Sequence, residues 1–224
     1  MAKINIVGVG PGSPDYVTPA ARKTVQKAQV VIGAQRSLNL FTEDIKGETV
    51  VLTAKNLHNA LKSAVESVKK GKEVALLSTG DPGFSGLLYT VLESGLFEGV
   101  EINVIPGVSS IQACAAKLCL SWDNALLLTY HKGEVSDEEK QVLDLAVNGG
   151  QDIIILPDEK AFSPKDIASY LLKNGEDKNL PVFVCENITL SDEKITSTTL
   201  AKASKQTFGS RCVMVIKANS EVKG

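Results

Sequence analysis

The feature that most limits how this chain can fold is a repeated grammar in its first half. A short apolar run enters a glycine-bearing loop, and the loop enters a helical stretch. INIV runs into GVGPG at residues 8–12, EVALLS into TGDPGFSG at 79–86, and EINVI into PGVSS at 106–110. Glycine removes the Cβ that would keep a ligand off the backbone, and Pro11 fixes φ within the first of these turns. Strands joined through helices pair in parallel. Residues 3–118 are therefore expected to form an open parallel sheet with helices on both faces. The loops then leave at the carboxyl edge, where such sheets place ligands. Taken alone, the first loop can also be read as a tight turn after a core strand.

The rest of the chain fills this frame. Residues 17–28 read as a helix with Thr18 as its cap and Pro19 at its first position. Residues 29–33 and 49–52 are short strands, and 34–48 read as irregular. Leu57, Leu61, Ala64, Val65 and Val68 make a helical apolar stripe over 56–69. In the second half, strands are expected at 125–130, 152–156, 181–186, 193–200 and 211–217. Ser136 with Glu139 forms a capping box for a helix over 137–147, and Ser163-Pro164 opens another over 164–173. The expected division is 1–118 and 119–224, two α/β domains with a helix-to-strand junction in place of a flexible linker.

Charge and composition exclude several classes. Twenty-four Lys and Arg against 26 Asp and Glu give no general basic character for nucleic acid. MAKINIVGVG lacks the apolar core of a signal peptide, and no apolar run is long enough to span a membrane. The cysteines, Cys114, Cys119, Cys185 and Cys212, lack CxxC spacing, and three lie in apolar surroundings. That pattern suits reduced thiols in a cytoplasmic protein. With only His58 and His131 available, no protein-held metal is expected.

The glycine spacing also limits the ligand. A dinucleotide site needs G-x-G-x-x-G and an acid at the end of the second strand. Here the spacing is G-x-G-x-G, and the second strand ends VVIGAQR. Asp81, between Gly80 and Pro82, can accept from ribose hydroxyls or from backbone N–H groups, or simply cap a turn. Ser109 and Ser110 are helix caps or ligand donors. His131 is a proton shuttle, a partner for a carboxylate, or a half-exposed side chain without a role. Cys114 and Cys119 read as helix packing rather than as nucleophiles, since no histidine lies near them in sequence.

GVGPG at 8–12, the Thr18 to Ala20 helix start, STGDPGFSG at 78–86 and IPGVSSIQ at 105–112 together resemble the tetrapyrrole (precorrin) methyltransferases. The motifs occur in the family's order, and the resemblance covers essentially the whole chain. Within the family, GAQR at 33–36, the tract from Ile105 to Lys132 and CENITLSDEKI at 185–195 look most like the stand-alone enzyme that methylates C5 of cobalt-precorrin-7.

The resemblance implies an S-adenosylmethionine-dependent C-methyltransferase of corrin synthesis, with the cofactor in a cleft between two α/β domains, the N-terminal one built on a parallel open sheet and the C-terminal one on a mixed sheet. Carried over residue by residue, Val9, Gly10, Asp81, Phe84, Ser109 and Ser110 would contact S-adenosylmethionine, with Leu156 and Val184 on its adenine side. The electron-rich macrocycle can attack the methyl directly, so the protein supplies alignment and excludes competing nucleophiles. Where a base is wanted, His131 is the candidate. Pro11, Arg36 and Lys132 are the candidates for contact with a substrate that carries acetate and propionate groups. The resemblance further implies a homodimer, a cobalt-corrinoid substrate, and a separate C15-methylating decarboxylase as a transient partner. Two alternatives stay open. One is a methylase of another ring position or substrate, and the other is a non-catalytic ligand-binding regulator on the same scaffold.

Overall fold

The computed structural model describes residues 3–131 and 133–218. The chain divides between Ser110 and Ile111 into two compact units. The first holds β1 (Ile4–Gly8), α1 (Pro19–Lys27), β2 (Val30–Gly33), α2 (Gln35–Asn39), β3 (Glu48–Val51), α3 (Leu57–Lys69), β4 (Val74–Ser78), α4 (Leu87–Glu93) and β5 (Ile102–Ile105). Its strands lie in the order β3-β2-β4-β1-β5, and every pairing is parallel.

Alternation along the strands divides the core between two faces. Ile4, Ile6, Ile32, Val74 and Leu76 pack with Leu61, Ala64 and Val65 of α3. Val7, Val31, Ala75 and Leu77 turn the other way, onto Ala21 and Val25 of α1. Burying each such valine, leucine or isoleucine side chain contributes about 1.5–3 kcal/mol. Helices therefore cover both faces, as the sequence grammar requires. Thr18 caps α1 by accepting from the Ala21 N–H at 3.1 Å, with Pro19 at the first position.

Residues 34–48 are not irregular throughout, as expected, because α2 lies within them. QRSLN carries too short an apolar pattern to read as a helix. Tertiary contacts order it instead. Leu38 and Phe41 are buried in the α1-side core. Just beyond, Asp44 accepts from Arg22 Nη1 at 2.6 Å and Gln26 Nε2 at 2.7 Å, both on α1.

The second unit takes up α5 (Ser110–Lys117) from Ile111 on. It continues with β6 (Leu126–Thr129), α6 (Asp137–Asn148), β7 (Ile153–Leu156), α7 (Pro164–Lys173), β8 (Pro181–Glu186), β9 (Lys194–Thr199), α8 (Leu200–Ala203) and β10 (Cys212–Ile216). The order is β6-β7-β10-β8-β9, parallel only between β6 and β7. This is the mixed sheet expected of the C-terminal domain. One face packs on Leu143 and Val147 of α6, Ile167 and Leu171 of α7, and Leu200 of α8. Capping boxes fix the starts of α6 (Ser136 with Glu139) and α7 (Ser163 with Asp166). Among the described residues no helix is long and apolar enough to cross a membrane.

Candidate functional site

From β1 the chain passes to β2 on one side of the sheet, and from β4 to β5 on the other, while β1 and β4 are neighbours. Their carboxyl ends therefore frame a topological switch point, the position where open parallel sheets bind ligands. The loop after β1, the loop after β4 and the loop after the adjacent β5 all emerge there.

These loops are knitted to each other through backbone. The Gly80 N–H donates to the Gly10 carbonyl at 2.9 Å, and the Gly10 N–H returns to the Gly80 carbonyl at 3.4 Å. Both residues hold left-handed φ, +84° at Gly10 and +68° at Gly80, which side chains other than hydrogen resist. A Cβ on Gly8 would lie 2.5 Å from the Gly107 nitrogen, and one on Gly107 would lie 2.4 Å from the Gly80 carbonyl oxygen. So at Gly8 and Gly107 the missing Cβ makes room for neighbouring backbone of the same cluster. Those two glycines are explained without a ligand.

Asp81 completes the knot. One carboxylate oxygen accepts from the Gly83 N–H at 2.8 Å and the other from the Gly107 N–H at 3.1 Å. It thus joins the loop after β4 to the loop after β5: of the roles open to it from sequence, acceptance from backbone N–H groups is the one observed, and it reaches a second loop. Ser78, at the end of β4, accepts from the Leu87 N–H at 3.1 Å and so caps α4. This cap from nine residues upstream is invisible to local pattern.

The first-unit candidates gather at this edge in different ways. Val9 is 1% exposed with its side chain in the core, so only its backbone is available to a ligand, and its N–H already donates to the Ser78 carbonyl at 3.0 Å. Pro11 and Phe84 are half-buried, Ser109 is buried, and Ser110 is the first residue of α5. Arg36 is exposed on α2, with Nη2 donating to Thr79 Oγ1 at 3.3 Å. Thr79 was not singled out from the sequence. The three loops, 8–12, 79–86 and 106–110, contain no lysine or arginine and a single carboxylate. The loops themselves therefore carry no charge that repels a cationic sulfonium ligand, and the guanidinium at this edge, Arg36, lies at its exposed rim.

In the second unit, β6, β7 and β8 run in one direction, since β10 lies antiparallel to both β7 and β8. Their carboxyl ends share an edge carrying His131, Asp158 and the segment after Glu186. His131 Nδ1 lies 3.8 Å from Asp158 Oδ2. Asp158 accepts through Oδ1 from the N–H groups of Ala161 at 2.8 Å and Lys160 at 2.9 Å. Those two bonds, and more weakly the His131 charge, hold its carboxyl below the usual carboxylate range. Asp158 too was missed from sequence, where PDEKAF resembles a surface turn.

Leu156 ends β7 at this edge, 8% exposed, whereas Val184 is fully buried in mid-strand with its side chain in the core cluster. A contact between the Val184 side chain and a ligand therefore does not follow from its position. Lys132 lies outside the described residues. The segment after β8 is held under strain, with φ of +49° at Asn187 and +70° at Thr189. Glu193 secures it, accepting from the Thr189 N–H at 2.7 Å and pairing with Lys117 of α5 at 3.0 Å. The same two contacts, the Thr189 bond first, hold the Glu193 carboxyl low.

Residues 3–204 match the family of tetrapyrrole (corrin/porphyrin) methylases, and the chain belongs to that family. A relative from Methanocaldococcus jannaschii, described as a "probable cobalt-precorrin-7 C(5)-methyltransferase", is 38% identical over 220 residues, covering 98% of this chain and 100% of the relative. A cobalt-precorrin-4 C(11)-methyltransferase of the same organism is 31% identical over 208 residues, covering 88% of this chain and 79% of its own. The crystal structure of a cobalt precorrin-4 methyltransferase superposes with a TM-score of 0.78 at 28% identity, over 96% of this chain and 94% of that one.

Proposed function

We propose that the protein transfers a methyl group from S-adenosylmethionine to carbon 5 of cobalt-precorrin-7, a step of corrin-ring synthesis. The observation that carries the transfer is the loop cluster at the switch point, whose own residues bring one carboxylate and no lysine or arginine, with the Arg36 guanidinium at its exposed rim. Support for the ring position comes from the end-to-end similarity to a relative described with that activity, 38% over 98% of this chain. S-adenosylmethionine supplies an electrophilic methyl on a positively charged sulfur. Pro11 and the knitted glycines give that ligand a rigid rim, which favours one alignment of the reacting atoms. Arg36 offers an exposed guanidinium to a ring carboxylate. Asp158 faces His131 at Nδ1, leaving Nε2 to accept the proton that the methylated carbon sheds. In this reading, methylation at C15 and the decarboxylation of a ring acetate that accompanies it fall to a separate protein.

A second reading, methylation at another ring carbon, is favoured by the 31% identity to a C(11) enzyme. One experiment separates the two. The protein is incubated with methyl-labelled S-adenosylmethionine and each late cobalt-precorrin in turn, and the product is located by mass and carbon NMR. Label at C5 of cobalt-precorrin-7 is the expected result. Label at another carbon selects the second reading, and no transfer to any of them, with S-adenosylmethionine still bound, sinks both.

A further inference from the structure

The second unit brings together two thiols that methyl transfer does not use. Cys114 on α5 and Cys185 on β8, 71 residues apart in sequence, are both free, both fully buried, and have their sulfurs 3.0 Å apart. That separation is roughly 1 Å beyond the ~2.05 Å of a disulfide bond. One turn along α5, Lys117 pairs with Glu193 beyond β8, so the helix is moored at two points on the same side.

The pair is polarised. The Cys114 S–H donates to Cys185 Sγ, which holds the Cys185 thiol below its ordinary value. The same bond, with burial, pushes Cys114 up. One sulfur is therefore biased toward the thiolate, the nucleophilic form, and its neighbour retains a proton. The other thiols stand apart. Cys212 packs in the core on the opposite face of the sheet, its thiol pushed up to about 12 chiefly by burial. Cys119 is exposed beyond the end of α5.

We propose that Cys114 and Cys185 form a reversible oxidation site, in which a peroxide converts the dithiol to a disulfide that staples α5 to β8. The Cys185 thiolate attacks one peroxide oxygen, the O–O bond breaks, and hydroxide leaves, giving the sulfenic acid. Cys114 sulfur then attacks Cys185 sulfur, the S–O bond breaks, and the departing oxygen leaves as water with the Cys114 proton. The hydroxide takes up the proton first lost by Cys185. Two electrons pass to the peroxide and two waters form. Access comes from local opening of α5, an eight-residue helix at the start of its unit. The site is independent of which group the protein transfers.

The test treats the full-length protein with a small excess of hydrogen peroxide, alkylates free thiols under denaturing conditions, and maps peptides without reduction. The expected product is a Cys114 peptide joined to a Cys185 peptide, lighter by two hydrogens and separated again by dithiothreitol. Tm should rise by about 5–10 °C and fall back on reduction, because a long loop is closed. Cys212→Ser should keep the crosslink and Cys114→Ser should lose it. If Cys114→Ser does not fold, the wild-type map decides alone. Four alkylated thiols, crosslinks through Cys119 or Cys212, or Cys185 oxidised past the sulfenic acid with Cys114 still free would each overturn the proposal.

Discussion

The two sheets present their carboxyl edges in different materials. At the first, three loops lock together through backbone atoms, with Gly8, Gly10, Gly80 and Gly107 at the crossings and one carboxylate tying two N–H groups. At the second, side chains make the geometry: His131 faces Asp158, and Glu193 holds the strained turn at Thr189. A backbone knot admits almost no substitution, so it suits what every substrate of the fold has in common. An edge built from side chains can be retuned one residue at a time, so it suits recognition of the particular acceptor. Methyl-donor binding is therefore expected to depend on the first edge and turnover on the second.

The most severe test of that contrast is Gly107→Ala. Its Cβ would meet the Gly80 carbonyl oxygen at 2.4 Å and the Gly8 carbonyl carbon at 2.7 Å, both backbone. Affinity for S-adenosylhomocysteine, read by calorimetry, should fall at least ~100-fold, and stability to urea by about 2–3 kcal/mol. Gly71→Ala is the control, since it holds φ of +81° but meets nothing within 4 Å. It should lose about 1 kcal/mol of stability and no affinity. Ligand affinity in Gly107→Ala equal to wild type would remove the knot from the binding site.

At the other edge, His131→Ala should lower kcat about 100-fold while leaving S-adenosylhomocysteine affinity unchanged. Asp158→Asn should give a smaller loss, about tenfold, by freeing the imidazole to reorient. Asp158 also fixes a pH dependence. Its carboxyl is held below the unfolded value by the Ala161 and Lys160 N–H groups, so its contribution to stability is complete above about pH 4 and is lost as pH falls through the lower folded value. Urea melts of wild type and Asp158→Asn should accordingly differ at pH 7 and converge in strong acid. A kcat loss matched by an equal loss of ligand affinity would erase the division of labour.

The same contrast explains what the sequence revealed. A backbone crossing leaves glycine as its mark, so the three loops, their order and the parallel sheet beneath them were readable from GVGPG, GDPGF and PGVSS. The capped helices were readable because Thr18, Ser136 and Ser163 act within three residues of themselves. Asp158 was not readable, because its value lies in facing a histidine 27 positions away in sequence. Thr79 and α2 were missed for the same reason, since Arg36 and the α1-side core define them from a distance. Sequence also suggested why glycine stands at Gly8 and assigned the wrong neighbour. The space a Cβ would fill belongs to Gly107, where sequence put a ligand.

Asp81 sharpens the comparison at smaller amplitude. Because its two oxygens hold N–H groups of two different loops, Asp81→Ala should weaken S-adenosylhomocysteine about tenfold and also lower stability by about 1–2 kcal/mol. Asp81→Asn keeps one acceptor and should lie between. Affinity lost with stability fully retained would mean that Asp81 acts on the ligand directly and not through the loops.

The smallest effect is expected where the first edge meets solvent. Arg36 is exposed and steadied by Thr79 Oγ1 at 3.3 Å, so its pairing with a substrate carboxylate is worth no more than about 1 kcal/mol, roughly fivefold. Arg36→Ala should raise KM for the tetrapyrrole by about that factor, with kcat and S-adenosylhomocysteine affinity unchanged. Arg36→Lys should recover part of the loss, because an ammonium keeps the charge without the planar fork that a carboxylate matches in two places. Raising the salt concentration should shrink the difference between wild type and Arg36→Ala, since an exposed pair is screened within about 10 Å at 0.1 M. If the difference instead persisted at high salt, Arg36 would be acting from a desolvated position, and the rim of the first edge would be specifying the acceptor as well as the donor.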